Sequence, residues 1–151
     1  MMLPGRSGQR ERRNIFRSDR DRRAFLGFLG VAARRFGWTV TAWVLISNHF
    51  HLVVQTLEPN LSRGMHWLNS AYAGWFNRAC GRSGHLFQGR FKAFLIDKEA
   101  YFADVLRYVD LNPVRAKMVE RPEDYKWSIY RATAALAKAP EWFDQNQRSK
   151  A

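Results

Sequence analysis

Hydrophobic residues recur at helical spacing in three segments of the chain, which predicts helices over residues 18–36, 60–80 and 97–112. Gly37 and Gly81 directly follow the first two segments. Glycine takes the left-handed backbone conformation that often ends a helix, so both are suitable C-terminal stops. The third segment runs into a proline, which limits that helix.

Between these segments the pattern is typical of β-strands. Residues 38–46 and 49–57 are β-rich and are separated by the turn-like pair Ser47-Asn48, which predicts an antiparallel hairpin. A further strand is predicted over Arg90 to Ile96, after a glycine-rich loop, and Asp97 then caps the third helix.

The resulting order is helix, strand, strand, helix, strand, helix. It predicts an α+β fold of the ferredoxin-like type, an antiparallel sheet with helices on one or both faces. The first strand of that arrangement is missing or degenerate, because residues 1–16 show no strand pattern. We expect residues 1–14 to be a basic, disordered arm, 15–135 one folded domain with a short docking helix from Pro122, and 136–151 a C-terminal tail.

Charge gives the first indication of a partner. The 151 residues include 25 Lys and Arg against 13 Asp and Glu, a net charge of +12, which favours a polyanion such as nucleic acid. There is no apolar run of about 18 residues, so a membrane partner is disfavoured. The first residues lack the apolar stretch of a secretory signal, and the lone Cys80 has no internal disulfide partner. A cytoplasmic location is therefore expected.

A His-Phe-His element follows the hairpin turn. Side chains alternate along a strand, so His49 and His51 share one face while Phe50 points to the core. The two imidazoles can share one metal ion, although a solvent-facing strand that happens to carry two histidines is the simpler interpretation of this tripeptide alone. A further oxygen ligand from elsewhere in the fold would suit Mg²⁺ or Mn²⁺.

A Tyr-x-x-x-Asn element lies on the third helix. Tyr108 and Asn112 are four residues apart and project side by side, which allows a nucleophile and an oxygen ligand on one face. A helical tyrosine is more often a packing residue. Tyr101 lies two turns earlier on much the same face, and the spacing does not decide between the two tyrosines.

Taken together, the chain resembles the HUH-type single-tyrosine transposases, in particular the REP-associated group, over residues 14–132. The motifs that carry this resemblance are LISNHFHLVV, GHLFQGRFKAFLI, YFADVLRYVDLNPVRAKMV and PEDYKWSIY. The resemblance implies that His49 and His51 bind the metal, that Tyr108 rather than the earlier tyrosine is the nucleophile, and that Asn112 completes the metal site.

The resemblance also implies a reaction. The tyrosine attacks a phosphodiester of single-stranded, hairpin-bearing DNA with the help of Mg²⁺ or Mn²⁺, which gives a 5′-phosphotyrosine and a free 3′-OH. A second 3′-OH can reverse the step, and this transfers the strand. Basic and aromatic side chains are available for DNA contacts, although each can also be a solvated or core residue. These are Arg90, Lys92, Arg107, Arg115, Trp67 and Trp75.

Three alternatives follow, two from the missing first strand and one from the metal site. The chain can be a non-catalytic single-strand-binding module or an inactive truncated relic, because loss of an inner strand exposes backbone groups and core. It can also be a metal-dependent nuclease that uses water. His66 and His85 lack a ligand partner at useful spacing, so they are left outside the site. The sequence favours neither a monomer nor a homodimer.

Overall fold

The computed structural model describes residues 2–6, 14–87, 91–93, 95–96 and 99–130. The elements within these residues form an α+β fold, as predicted. In chain order they are β1 (Met2–Arg6), α1 (Asp19–Phe36), β2 (Trp38–Leu45), β3 (His49–Thr56), α2 (Leu61–Cys80), α3 (Glu99–Asp110), α4 (Asn112–Arg115) and a 3₁₀ turn (Pro122–Asp124). No helix in the described part of the chain is long and apolar enough to cross a membrane.

The long helices begin and end close to the predicted positions. The Ser18 side chain caps α1 by accepting a hydrogen bond from the backbone N–H of Asp21 at 3.4 Å. Gly37 and Gly81 follow α1 and α2 with φ values of 69° and 63°, in the left-handed region. α3 ends at Asp110, before the proline, as expected.

The hairpin is also confirmed. β2 pairs antiparallel with β3 from Leu45 opposite Phe50 to Trp38 opposite Thr56, with an irregularity between Val40 and Ala42. The hairpin forms two of the three strands in the described sheet, whose order is β1-β3-β2. β3 is therefore the central strand.

The first strand was predicted to be missing or degenerate, and the first of these alternatives was wrong. β1 pairs antiparallel with β3, with Met2 opposite Val53 and Arg6 opposite His49, so these residues are strand rather than a disordered arm. Pro4 and Gly5 are typical of a turn, but β1 lies at an edge of the described sheet, where proline's missing N–H costs little. Residues 7–13 of the predicted arm lie outside the described residues.

The prediction of a strand over Arg90 to Ile96 was wrong for those of its residues that the structure describes. Residues 91–93 and 95–96 form no strand, and Leu95 is 74% exposed, so the alternation of this segment does not correspond to burial against a sheet. Arg90 and the expected cap Asp97 lie outside the described residues.

The segment from Pro122 begins with a short 3₁₀ helix, as a short docking helix was predicted there. It is packed on the domain, because Tyr125 and Ile129 are buried and Ser128 bridges to Val44 of β2. Residues 131–151, which include the predicted tail, lie outside the described residues.

The sheet carries helices on both faces. Phe50 contacts Phe25 of α1 at 4.6 Å between ring centroids, and Phe25 in turn contacts Tyr72 of α2 at 5.4 Å. His51 contacts Tyr108 of α3 at 5.9 Å. Because neighbouring side chains on a strand point to opposite faces, α1 and α2 cover one face and α3 covers the other. The core lies mainly between the sheet, α1 and α2.

α2 approaches β2 closely at Gly64. A Cβ added there would lie 2.7 Å from Cη2 of Trp38, a buried indole whose Nε1 donates to Oδ1 of Asn60 at 3.1 Å. Gly27 of α1 is a matched control, because nothing lies within 4 Å of a Cβ added there.

We expect Gly64→Ala to lower the free energy of unfolding by about 1–3 kcal/mol, since it overpacks this contact. Gly27→Ala should raise that free energy by about 0.5–1 kcal/mol through helix propensity. Urea denaturation of the two variants measures both values. A Gly64→Ala variant as stable as the parent chain would contradict the packing of α2 on β2.

Candidate active site

The two histidines of β3 face α3, side by side. Their ring centroids are 5.1 Å apart and their ring planes stand at 83°. His51 is buried, with 4% of its surface exposed, whereas His49 is partly exposed at the end of the strand. Nδ1 of His49 lies 2.7 Å from Oδ1 of Asn48. The sequence prediction that both imidazoles share one face therefore holds.

This spacing fits two imidazoles on one ion. A metal-to-nitrogen distance of about 2.1 Å and about 1.1 Å from nitrogen to ring centre place two centroids about 4.5–5.2 Å apart at angles of about 90–109°. The observed 5.1 Å lies within that range. Asn48 fits as an outer partner, because an amide oxygen only accepts hydrogen bonds and so favours the His49 tautomer with hydrogen on Nδ1. That tautomer leaves the Nε2 lone pair for the ion.

Tyr108 of α3 lies next to this pair. Its ring centroid is 5.9 Å from that of His51, and 43% of its surface is exposed, which makes the phenol reachable from solvent. Leu106 and Val109 on the same helix are buried. Tyr101 is seven residues earlier, about 10 Å along the helix axis, and 56% of its surface is exposed. The structure thus places Tyr108 against a site histidine.

Asn112 is buried, with 7% of its surface exposed, and it is the first residue of α4. Its backbone carbonyl accepts a hydrogen bond from Ala116 at 2.9 Å. Among the described residues its side chain makes no hydrogen bond to either histidine, so its role as third metal ligand stays a prediction. No cluster of three His, Cys, Asp or Glu side chains that could hold a metal ion occurs in the described part of the chain.

Arg115 of α4 folds back over the nucleophile candidate. Its Cζ lies 3.9 Å from the centroid of the Tyr108 ring, and its Nη2 donates to the backbone carbonyl of Tyr108. The guanidinium therefore holds a positive charge against the ring face. From the sequence Arg115 was expected to contact DNA or to be a solvated surface residue. The contact with Tyr108 was missed because the break between α3 and α4 at Leu111 brings the two residues together.

Three other side chains were predicted to contact DNA, those of Arg90, Lys92 and Arg107. Lys92 is exposed, and Arg90 lies outside the described residues. Arg107 forms an exposed ion pair with Asp104 at 3.4 Å. Their role in binding DNA stays a prediction.

The two tryptophans of α2 are half-buried and in contact with other side chains. Trp67 packs against Phe36 at 6.3 Å with Arg35 over its ring, and Trp75 stacks on Tyr72 at 6.0 Å. Both contacts agree with the packing interpretation of these residues.

The comparisons with known proteins decide the family. The sequence profile described as "Transposase IS200 like" matches residues 8–112, more than half of the chain. The chain is a member of the IS200-like transposase family. The family is one of DNA-cleaving and DNA-joining enzymes, and the predicted resemblance is confirmed.

A solved structure supports the fold of this transposase chain. It is titled "Structure of the REP associates tyrosine transposase bound to a REP hairpin", and it matches with a TM-score of 0.73 at 17% sequence identity. The match covers 95% of this chain and 86% of that chain. No protein of curated function matches the sequence.

Proposed function

We propose that this chain cleaves and rejoins single-stranded, hairpin-bearing DNA through a covalent bond to Tyr108. The observation that carries the proposal is the contact between Tyr108 and His51, which puts a solvent-reachable phenol beside two histidines spaced for one ion. Membership of the IS200-like family supports the reaction class. The structurally similar transposase is bound to a REP hairpin, which supports DNA of that kind as the ligand.

In the proposed reaction the phenolic oxygen of Tyr108 attacks the scissile phosphorus. The new bond joins this oxygen to phosphorus, the bond from phosphorus to the 3′ oxygen breaks, and the leaving oxygen takes up a proton to give a 3′-OH. The phenol loses its proton to solvent or a nearby base. A different 3′-OH can attack the phosphotyrosine in the reverse direction, which transfers the strand and regenerates the tyrosine.

His49, His51 and Asn112 would hold a divalent ion in this site. When bound, such an ion supplies Lewis-acid polarisation of the phosphate. Imidazole nitrogen is a softer ligand than the oxygens that Mg²⁺ prefers, so Mn²⁺ is the better probe of the site. Burial of His51 limits the motion of its ring.

Arg115 stabilises the anion that forms on Tyr108 and on the phosphate. We expect Arg115→Ala to slow covalent capture of DNA by about 10- to 100-fold, because a preorganised positive charge is lost where negative charge develops. Arg115→Lys should recover only part of the rate, since lysine keeps the charge but not the planar stack on the ring. Arg121→Ala, at another exposed arginine, is the control. An unchanged rate in Arg115→Ala would contradict this role.

The proposed function is tested with labelled single-stranded DNA that carries a hairpin, incubated with the protein and Mn²⁺ or Mg²⁺. Formation of a protein–DNA adduct that survives SDS supports a tyrosine transferase. Cleavage without any adduct, dependent on His49 and His51 but not on Tyr108, would instead identify a nuclease that uses water. DNA binding without cleavage would identify a binding module.

A further inference from the structure

Positive charge is concentrated on the two helices that cover the sheet on the side opposite Tyr108. α1 and α2 together contain seven arginines and two aspartates. Both aspartates are already ion-paired with cations outside these helices, Asp21 with Arg17 and Asp19 with Lys126. α3, which carries Tyr108, has one arginine against three acidic residues. The side of the domain away from the tyrosine is therefore the one that attracts a polyanion.

Six of the seven arginines are exposed and form a surface that we call the arginine face. Its members are Arg20, Arg23, Arg34, Arg35, Arg63 and Arg78. Arg20 and Arg35 are about four turns of α1 apart, so they lie on nearly the same side of this helix, about 22 Å from each other along its axis. Arg63 of α2 and Arg35 both lie over the ring of Phe36, so the face continues from one helix to the other.

The guanidinium groups at one end of the face are held on aromatic rings. Cζ of Arg35 lies 5.3 Å from the ring centroid of Phe36 and 5.6 Å from that of Trp67. Cζ of Arg63 lies 5.8 Å from the centroid of Phe36. Cations within about 6 Å of a ring centroid are attracted to the ring, which restricts the motion of these long side chains.

The other end of the face has the same arrangement, with Cζ of Arg20 lying 5.6 Å from the ring centroid of Trp75. Side chains that are already ordered lose less freedom when they bind an anion. The ion pairs within the described part of the chain include none of Arg20, Arg35 and Arg63. Their charges are therefore available to a ligand from solution.

The ligand that fits this face is double-stranded DNA. Fixed cations contact phosphates, whereas single strands are bound largely through aromatic rings on which their bases stack. The indole rings of Trp67 and Trp75 are half-buried and carry a guanidinium, so they hold cations rather than bases. A duplex is stiff and carries one phosphate charge per about 1.7 Å of its axis, which gives a dense row of anions along the length of the face.

We propose that the arginine face binds the phosphate backbone of double-stranded DNA without regard to sequence. The inference goes beyond the proposed function, which concerns a single strand at Tyr108 on the opposite side of the sheet. It shares with that function only DNA as the ligand, which the family supports. One chain thus holds a duplex on one side while its tyrosine acts on a single strand on the other.

The test measures binding of a labelled, blunt-ended duplex of about 20 base pairs by fluorescence anisotropy between about 50 and 200 mM salt. Each phosphate contact contributes about 0.9 to the slope of log affinity against log salt concentration. Arg35→Gln combined with Arg63→Gln should therefore reduce the slope by about two and weaken binding by at least about tenfold. Lys117→Gln combined with Arg121→Gln removes the same charge from exposed residues outside the face, and it should change the slope by less than about 0.5.

Two further variants separate loss of charge from loss of packing. Arg35→Lys combined with Arg63→Lys keeps both charges, so it should retain most of the slope even though the contact with the Phe36 ring changes. If the glutamine double variant folds poorly, Arg20→Gln removes one charge at the other end of the face and should reduce the slope by about 0.9.

A single strand of the same length distinguishes the two forms of DNA. The glutamine double variant should lose at least about threefold more affinity for the duplex than for the single strand. An equal or larger loss for the single strand would overturn the proposal. An unchanged salt slope for the duplex would also overturn it, because the arginines would then be an ordinary solvated surface.

The adduct assay on single-stranded hairpin DNA keeps this proposal apart from the proposed function. An adduct, together with a salt slope for the duplex that does not depend on Arg35 and Arg63, refutes only the arginine face. Duplex binding that depends on these two arginines, without any adduct, refutes only the transferase.

Discussion

Replacing Tyr108 with phenylalanine should abolish covalent capture of DNA and leave DNA binding almost unchanged. The variant loses one hydroxyl that is the proposed nucleophile, and the ring keeps its contacts with His51 and Arg115. We expect the SDS-resistant adduct to fall by at least about a thousandfold, and the affinity for single-stranded DNA to change by less than about twofold. Gel analysis of the adduct and fluorescence anisotropy measure the two quantities.

Tyr101→Phe is the matched control. It makes the same chemical change on the same helix, about 10 Å further along the axis, so its adduct yield should equal that of the parent chain. If Tyr101→Phe loses the adduct and Tyr108→Phe retains it, the nucleophile is Tyr101 rather than Tyr108.

Removal of either histidine should have the next largest effect, and it is measurable without DNA. We expect His49→Ala and His51→Ala each to weaken Mn²⁺ binding by at least about a hundredfold, because a site with so few ligands loses a direct bond. Asn48→Ala should weaken binding by about 10- to 100-fold, since Asn48 contacts Nδ1 of His49 and acts only through it. Calorimetric titration of the protein with Mn²⁺ gives all three affinities.

His66→Ala removes a histidine on the other side of the sheet and is the control for Mn²⁺ affinity. It should match the parent chain in this titration. Equal Mn²⁺ affinity for His49→Ala, His51→Ala and the parent chain would show that the pair is not a metal site. The arrangement would then be a strand face that carries two histidines, the simpler interpretation of the tripeptide.

Much of the fold is readable from the sequence because its elements have strong local signals. The apolar spacing of the long helices and the glycines Gly37 and Gly81 fix their ends to within about a residue of the predicted positions. The hairpin follows from two β-rich runs around a short turn. In each case the residues that determine the element lie within it or directly next to it.

The two errors concern strand pairing, which local patterns do not determine. β1 contains Pro4 and Gly5 and has no alternation, yet its backbone pairs along β3 at an edge of the described sheet. The segment around Leu95 alternates well, but its described residues form no strand. With β1 in place, the argument for a non-catalytic relic loses the observation on which it was based.

For the candidate site too, local spacing predicted some features, whereas others depend on how the elements pack together. Alternation along β3 was enough to put His49 and His51 on one face. Spacing did not separate Tyr108 from Tyr101, because seven residues return a helix to the same face, and the packing of α3 against β3 was needed for that choice. The stack of Arg115 on Tyr108 depends on the break between α3 and α4, which the sequence indicated only through its proline.

The central claim is that Tyr108 becomes covalently bonded to DNA, and peptide mapping of the adduct tests it most directly. Trypsin cleaves after Lys98, Arg107 and Arg115, so the two tyrosines fall in different peptides, residues 99–107 and 108–115. After nuclease digestion of the trapped DNA, mass spectrometry should find a nucleotide joined through phosphate to Tyr108, in peptide 108–115 or in its uncleaved precursor 99–115. A nucleotide on Tyr101, or no modified tyrosine in a chain that cleaves DNA, would contradict the account.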